Sequence, residues 1–114
     1  MNHIEYKIYN EVYCDIVLGK KTIEFRLLND KSNSIKIGDE IKFNAIDNKY
    51  IIVEVINKYI FENIEELWNH KEVLNNALNY NKEEFINAFH NIFGKDKVDN
   101  SKIVGIEFKI KEVK

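Results

Sequence analysis

The residues best equipped for chemistry sit together in Gly19-Lys20-Lys21-Thr22-Ile23-Glu24-Phe25-Arg26. Two ammonium groups, a hydroxyl, a carboxylate and a guanidinium fall within this one short segment. A lysine beside a second cation makes a better base or nucleophile near neutral pH. A carboxylate close by opposes that effect, yet it can orient the ammonium or take up a proton. Arg26 presents a planar fork of donors matched to a phosphate or a carboxylate. The competing reading is an exposed strand face on which Glu24 and Arg26 pair and contribute little.

The neighbouring pattern says which elements must position these groups. Ile23 and Phe25 alternate with Thr22, Glu24 and Arg26, the period of a half-buried strand over 21–27. With the two apolar residues facing the core, Thr22, Glu24 and Arg26 share the other face. Lys21 belongs to the preceding turn, where alternation does not settle its direction. Upstream, Ile4, Tyr6 and Ile8 alternate as a first strand. Asn10 can cap a helix whose apolar stripe is Val12, Tyr13, Ile16 and Val17. Gly19 follows that stripe, where a left-handed C-terminal cap is expected. Downstream, Asn29 to Ser34 is polar and aperiodic and reads as a surface loop carrying Asp30 and Lys31. Such a loop is either a ligand contact or an ordinary connection.

Further on, Ile35 and Ile37 lead into a Gly38-Asp39 turn, after which Ile41 and Phe43 alternate with Lys42 and Asn44; Asp47-Asn48 marks another turn. The run from Tyr50 to Ile60 is nearly all apolar and β-branched, as in a strand buried on much of both faces. Beyond Phe61 the character becomes helical. Ile64, Leu67 and Trp68 suit a turn or two, and Val73, Leu74, Ala77 and Leu78 another. Asn81 followed by Glu84 resembles a capping box, opening a helix with Phe85, Ile86, Phe89 and Phe93 on its buried side and Gly94 at its end. Lys95 to Asn100 reads as a charged loop, and Val104, Ile106, Phe108 and Ile110 as a long last strand. Closely spaced strands in a short chain predict an α+β domain over 1–114. Its centre is a small, mostly antiparallel β-barrel, with one helix before the motif strand and two or three inserted before the last strand.

Composition narrows the function. A chain of 114 residues with 45% hydrophobic and 32% charged residues supports one modest core. A formal net charge of −2 argues against strong duplex DNA binding, which shows as a basic domain. Nucleic-acid contact would be confined to a local cleft offering two or three cations. Cys14 is the only cysteine, which fits a reducing compartment and reads as a small buried apolar residue. The first residues lack a basic region followed by an apolar run, and no stretch is long enough to cross a bilayer. A cytoplasmic protein without membrane contact is expected. His3, His70 and His90 lack metal-site spacing, so neither a metal nor a cofactor is implied. Six phenylalanines (Phe25, Phe43, Phe85, Phe89, Phe93 and Phe108) fit core positions, whereas Tyr59, Trp68 and Tyr80 lie near element ends, where each is a rim residue or a stacking platform for a base.

The order of three segments carries a family resemblance. The Gly19–Arg26 motif, then Ile37-Gly38-Asp39-Glu40-Ile41-Lys42-Phe43, then Ile106-Glu107-Phe108-Lys109, resembles the ASCH domain family of the PUA-like superfamily over nearly the whole chain. That resemblance implies a PUA-like fold and a cleft on the motif strand for RNA or a modified nucleoside. It makes Lys20, Thr22, Arg26, Lys31 and Tyr80 candidate ligand contacts, and Lys21 and Glu24 candidate catalytic residues. A more distant similarity is to the bacterial acetylcytidine amidohydrolases, which use a lysine, a threonine three residues later and a distant glutamate. Lys21 matches the lysine, Glu24 stands in the threonine's place, and Glu72 falls in a comparable helical region. Two functions follow. One is binding without chemistry; the alternative is a metal-independent hydrolase on RNA or an N-acylated cytidine, with Lys21 as base or nucleophile.

Overall fold

Five strands form one sheet, in a computed structural model that describes residues 3–70 and 81–114. In chain order the elements are β1 (His3–Lys7), α1 (Asn10–Val17), β2 (Ile23–Leu27), α2 (Asp30–Asn33), β3 (Glu40–Asn44), β4 (Tyr50–Phe61), α3 (Ile64–Asn69), α4 (Lys82–Phe93), α5 (Lys95–Asp99) and β5 (Ile103–Val113). The helix expected around Val73–Leu78, and the candidates Glu72 and Tyr80, lie outside the described residues.

The sheet order is β1-β3-β4-β5-β2. β1 pairs with β3 in parallel, Ile4 opposite Ile41, and β3 pairs with β4 antiparallel, Phe43 opposite Ile51. Tyr50 and Lys114 exchange both backbone hydrogen bonds, as an antiparallel pair does. The β5–β2 pairing is antiparallel too, because Phe108 N–H donates to Thr22 while Leu28 N–H donates to Lys102. The mostly antiparallel expectation therefore stands, with β1–β3 as the exception. The turn between β3 and β4 holds Asp47 and Asn48 at φ 57° and 60°. Two consecutive left-handed residues make the type I′ hairpin turn, and Asp and Asn tolerate that geometry best after glycine.

Contacts divide the chain into two compact units: Met1–Glu24 with Ser34–Lys58 and Ile106–Lys114, and Phe25–Asn33 with Tyr59–Gly105. In the first, Ile41, Phe43, Ile51, Val53, Val55 and Ile106 are fully buried, and the Phe43 and Phe108 rings meet edge to face at 5.5 Å. In the second, Phe25 packs edge-on against Phe85 at 6.4 Å, and Phe85 lies 5.1 Å from Phe89 and 5.3 Å from Trp68. Gly105 belongs to this aromatic cluster, since a Cβ there would stand 3.3 Å from the rings of both Phe25 and Phe61. A methyl there would push the rings back by a few tenths of an ångström, so a residue without a side chain suits the close approach of β5.

Several expectations are corrected. Cys14 is exposed, and of the α1 stripe only Ile16 is buried, with Val17 and Leu18 facing solvent. An eight-residue helix turns only one narrow side to the core, and Cys14 lies off it. Tyr9, not Asn10, occupies the N-cap, without a side-chain hydrogen bond. Of the α4 residues, Phe85 and Phe89 are buried, while Ile86 and Phe93 are half-buried. The charged stretch after Gly94 is the short helix α5.

The polar loop after β2 is a helical turn with its own cap. Asn29 Oδ1 accepts from Ser32 N–H at 2.9 Å, and Ser32 Oγ accepts from Asn29 N–H at 3.0 Å. This is a capping box in which serine plays the part usually taken by glutamate. Ser32 is fully buried, and its hydroxyl proton goes to the Leu27 carbonyl at 2.9 Å. Ser32→Ala removes the acceptor of the Asn29 N–H and the donor to the Leu27 carbonyl, both part-buried, so it is expected to cost about 1–3 kcal/mol. Urea unfolding measures this as a lower midpoint at unchanged slope; a midpoint equal to wild type would mean the cap contributes nothing.

Candidate functional site

The site begins with how α1 ends. Gly19, at φ 78°, donates its N–H to Ile16, and Lys20 donates to Asp15. These two bonds make a Schellman motif with Gly19 at the left-handed position. Lys21 N–H also reaches the Asp15 carbonyl, at 3.1 Å, so the backbone is anchored right up to the motif lysine. Thr22 then joins the sheet through its carbonyl, which accepts from Phe108 N–H at 3.1 Å.

With that anchoring, Lys21 Nζ lies 3.2 Å from Glu24 Oε1. The side chains keep only 20% and 9% of their exposure. Glu24 is thus not on an exposed face, as alternation alone suggested. Ile23, Glu24 and Phe25 are all buried, so both faces of the first half of β2 are covered. A carboxylate so placed requires a cation or several donors, and the ammonium of Lys21 supplies one. Lys20 and Thr22 are exposed beside the pair. Arg26 is half-buried further along β2, and Lys31 is exposed on α2; both belong to the second unit.

Sequence reasoning missed Lys58. Its ammonium donates to the Ile35 carbonyl at 2.9 Å, and burial pushes its pKa below the ordinary lysine value while the Asp39 charge opposes that shift. Asp39 is itself buried, and its Oδ2 accepts from Lys36 N–H at 2.9 Å. Gly38 and Asp39 also exchange backbone hydrogen bonds with Val55, tying the turn to β4. The Gly-Asp pair therefore fastens a turn. A lysine interrupting the apolar run of β4 was the available signal.

His90, one of the three histidines without metal-site spacing, is tied to the short helix α5. The structure sets its Nε2 3.0 Å from Asp99 Oδ1, while Lys95 Nζ donates to Asp99 Oδ2 at 2.7 Å. Asp99 is held below the ordinary carboxylate range, first by the Lys95 hydrogen bond and then by that of His90. Tyr59 and His70 approach ring to ring at 5.8 Å, and Trp68 contacts Phe85, so these aromatics are half-buried members of the second unit's ring cluster. Among the described residues, no group of three or more His, Cys, Asp or Glu side chains is disposed to hold a metal ion. No described helix is long and apolar enough to cross a membrane.

Comparison with solved structures identifies the fold. The protein PH0355 superposes with a TM-score of 0.80 at 24% identity, covering 96% of this chain and 100% of its own. PF0455 from Pyrococcus furiosus gives 0.75 at 26% identity over 97% and 99%. The ASCH protein of Zymomonas mobilis gives 0.67 at 16% identity over 97% of this chain and 69% of its own. No family model and no curated protein matches the sequence. The chain therefore has an α+β fold of the PUA-like barrel class. Within that class its fold is that of the ASCH domain, in agreement with the resemblance carried by the three sequence segments.

Two outcomes follow from the geometry. Lys21→Ala removes the cation facing a buried carboxylate and is expected to destabilise by about 1–3 kcal/mol, between the surface and fully buried limits. Adding Glu24→Gln should restore part of the loss, which a double-mutant cycle in urea reads directly; strictly additive losses would mean that the pair is not coupled. For Asp99, a depressed carboxyl stabilises the fold above its ordinary value of 3.8, and that contribution is lost as pH falls through the folded value. Asp99→Asn should therefore be less stable than wild type near neutral pH, with the gap closing in acid. A gap that stays constant across the acid range would rule this linkage out.

Proposed function

We propose that the chain is a single cytoplasmic ASCH-type domain that binds RNA or a modified nucleoside at the Lys21–Glu24 pair. The observation that carries this reading is a nearly buried carboxylate held 3.2 Å from a half-buried ammonium, with Thr22 exposed at its side. Glu24 accepts a hydrogen bond from an exocyclic amino group of a base, and Lys21 donates to a base carbonyl or a phosphate. Lys20 supplies a further phosphate contact. The shared fold with a protein named for the ASCH domain supports the assignment by analogy.

The direct Lys21–Glu24 contact also favours a second reading, in which the pair exchanges a proton. Here Lys21 first passes a proton to Glu24; its free amine then takes a proton from the water that attacks the acyl carbon of an N-acylated cytidine, and Glu24 stays within reach of the ammonium so formed. The amide C–N bond breaks and cytidine leaves with the proton returned to its amino group, without a metal. On RNA, Lys21 would take the proton of a 2′-hydroxyl that attacks the adjacent phosphorus, the P–O5′ bond breaking with the proton passed to the leaving 5′-oxygen.

Calorimetry with nucleosides, single-stranded RNA and duplex DNA, alongside product analysis on acylated cytidines and short RNAs, tests both. A nucleoside or single-stranded RNA should bind in preference to duplex DNA. Glu24→Gln should weaken nucleoside binding by about tenfold or more, the value of one charge-assisted hydrogen bond. Product formation that Lys21→Ala abolishes at temperatures where the variant stays folded would select the hydrolase. Nucleoside affinity unchanged in both variants, with no turnover, would overturn the site.

A further inference from the structure

Three lysines and two tyrosines that are scattered in sequence meet at the far end of the first unit. Lys42 Nζ lies 4.6 Å from the centre of the Tyr50 ring, and Lys114 Nζ lies 5.9 Å from the same ring. Lys49 Nζ lies 5.7 Å from the Tyr13 ring, and Tyr13 Oη donates to the Lys114 carbonyl at 2.9 Å. Lys114 therefore joins the two tyrosines into one patch. None of the three ammoniums lies within ion-pairing distance of a carboxylate among the described residues. Two side-chain carboxylates lie nearby and keep their charge, Glu112 accepting from Tyr50 Oη at 3.0 Å and Glu5 from Asn44 Nδ2 at 2.9 Å, so the three lysines remain in excess.

Two like charges over one ring repel each other, and the ring quadrupole offsets that only partly. An anion placed among them removes the repulsion. Because the rings hold the ammoniums in place, little side-chain entropy is lost when it binds. The spacing suits a polyanion. β5 runs six residues from Phe108, which meets Thr22, to Lys114, so the patch stands roughly 20 Å along the strand from the motif turn. A mononucleotide cannot span that distance, but a short single strand can.

We propose that Tyr13, Lys42, Lys49, Tyr50 and Lys114 form a phosphate-binding patch for the backbone of single-stranded RNA. This deepens the reading above: the Lys21–Glu24 pair takes one base, and the patch holds the strand leading from it. Tyr50 keeps its proton to higher pH than an ordinary tyrosine, chiefly through the Glu112 hydrogen bond, so the ring adds no negative charge.

Fluorescence anisotropy with a labelled single-stranded RNA, titrated against salt, tests the patch. Each phosphate neutralised on a single strand contributes about −0.7 to the slope of log affinity against log salt. The triple variant K42Q/K49Q/K114Q should therefore flatten the slope by about 2 units. It should bind the RNA at least about tenfold more weakly at low salt, with nucleoside affinity unchanged. A charge-matched control, K36Q/K97Q/K102Q, should retain the wild-type slope. The same strand made as DNA should show a similar slope difference, since the patch meets phosphate. Equal slopes in wild type and the triple variant, or a polyglutamate peptide that competes as well as the RNA, would overturn the patch. Absence of nucleoside binding by the wild type, with the slope difference intact, would instead overturn the Lys21–Glu24 site and leave the patch standing.

Discussion

A carboxylate buried in the first half of a β-strand is the constraint on which the rest of the motif depends. Glu24 lies between Ile23 and Phe25 with almost no access to water. Leaving such a group charged and unaccompanied would cost several kcal/mol. The ammonium of Lys21 answers that cost only if the backbone brings it within reach, so the geometry of the preceding turn becomes part of the electrostatics. The same pairing makes the carboxylate a strong, preoriented acceptor. The structural role and the proposed recognition role thus fall on one contact, and a variant at Lys21 should be judged on stability before its effect on function is read.

Two local devices bracket β2, and the first of them sets up that contact. Before the strand, the Schellman motif at Gly19 satisfies the last carbonyls of α1 and aims the chain through Lys20 and Lys21. After it, the Asn29–Ser32 capping box stops the chain within one turn and returns a hydroxyl to the Leu27 carbonyl. Both devices rest on hydrogen bonds made by the chain's own neighbours in sequence. They are inexpensive in entropy, because the loops they close are short.

The two units use different physics. The first is aliphatic at its centre, with Ile41, Ile51, Val53 and Val55 on the paired strands β3 and β4. Its outer chemistry is a set of placed cations: Lys21 on a carboxylate, Lys58 on a carbonyl, Lys42 and Lys114 on a tyrosine ring. The second unit is built on rings, from Phe25 through Phe85 and Phe89 to Phe93, with Gly105 leaving room for them. A ring cluster of this kind tolerates few small-to-large changes.

Alternation and turn chemistry were enough to read most elements in the sequence. The period of two at Ile23 and Phe25, the capping residues Asn81 and Gly19, and the Asp47-Asn48 turn each report a local preference, and local preferences survive folding. The motif residues could be singled out the same way. Their arrangement could not. Alternation assigns a side chain to a face but does not say whether that face is covered, so Glu24 read as exposed and proved buried. The burial of Ser32, the exposure of Cys14 and the desolvation of Lys58 are likewise set by what packs over each residue. The lysine–tyrosine patch was invisible for the same reason. Its members come from positions 13, 42, 49, 50 and 114, and only strand pairing between β4 and β5, with α1 alongside, brings them within a few ångströms. Residue types and local spacing set which groups are available and which elements carry them, whereas which charges are desolvated and which meet follows from the packing of segments far apart in the chain.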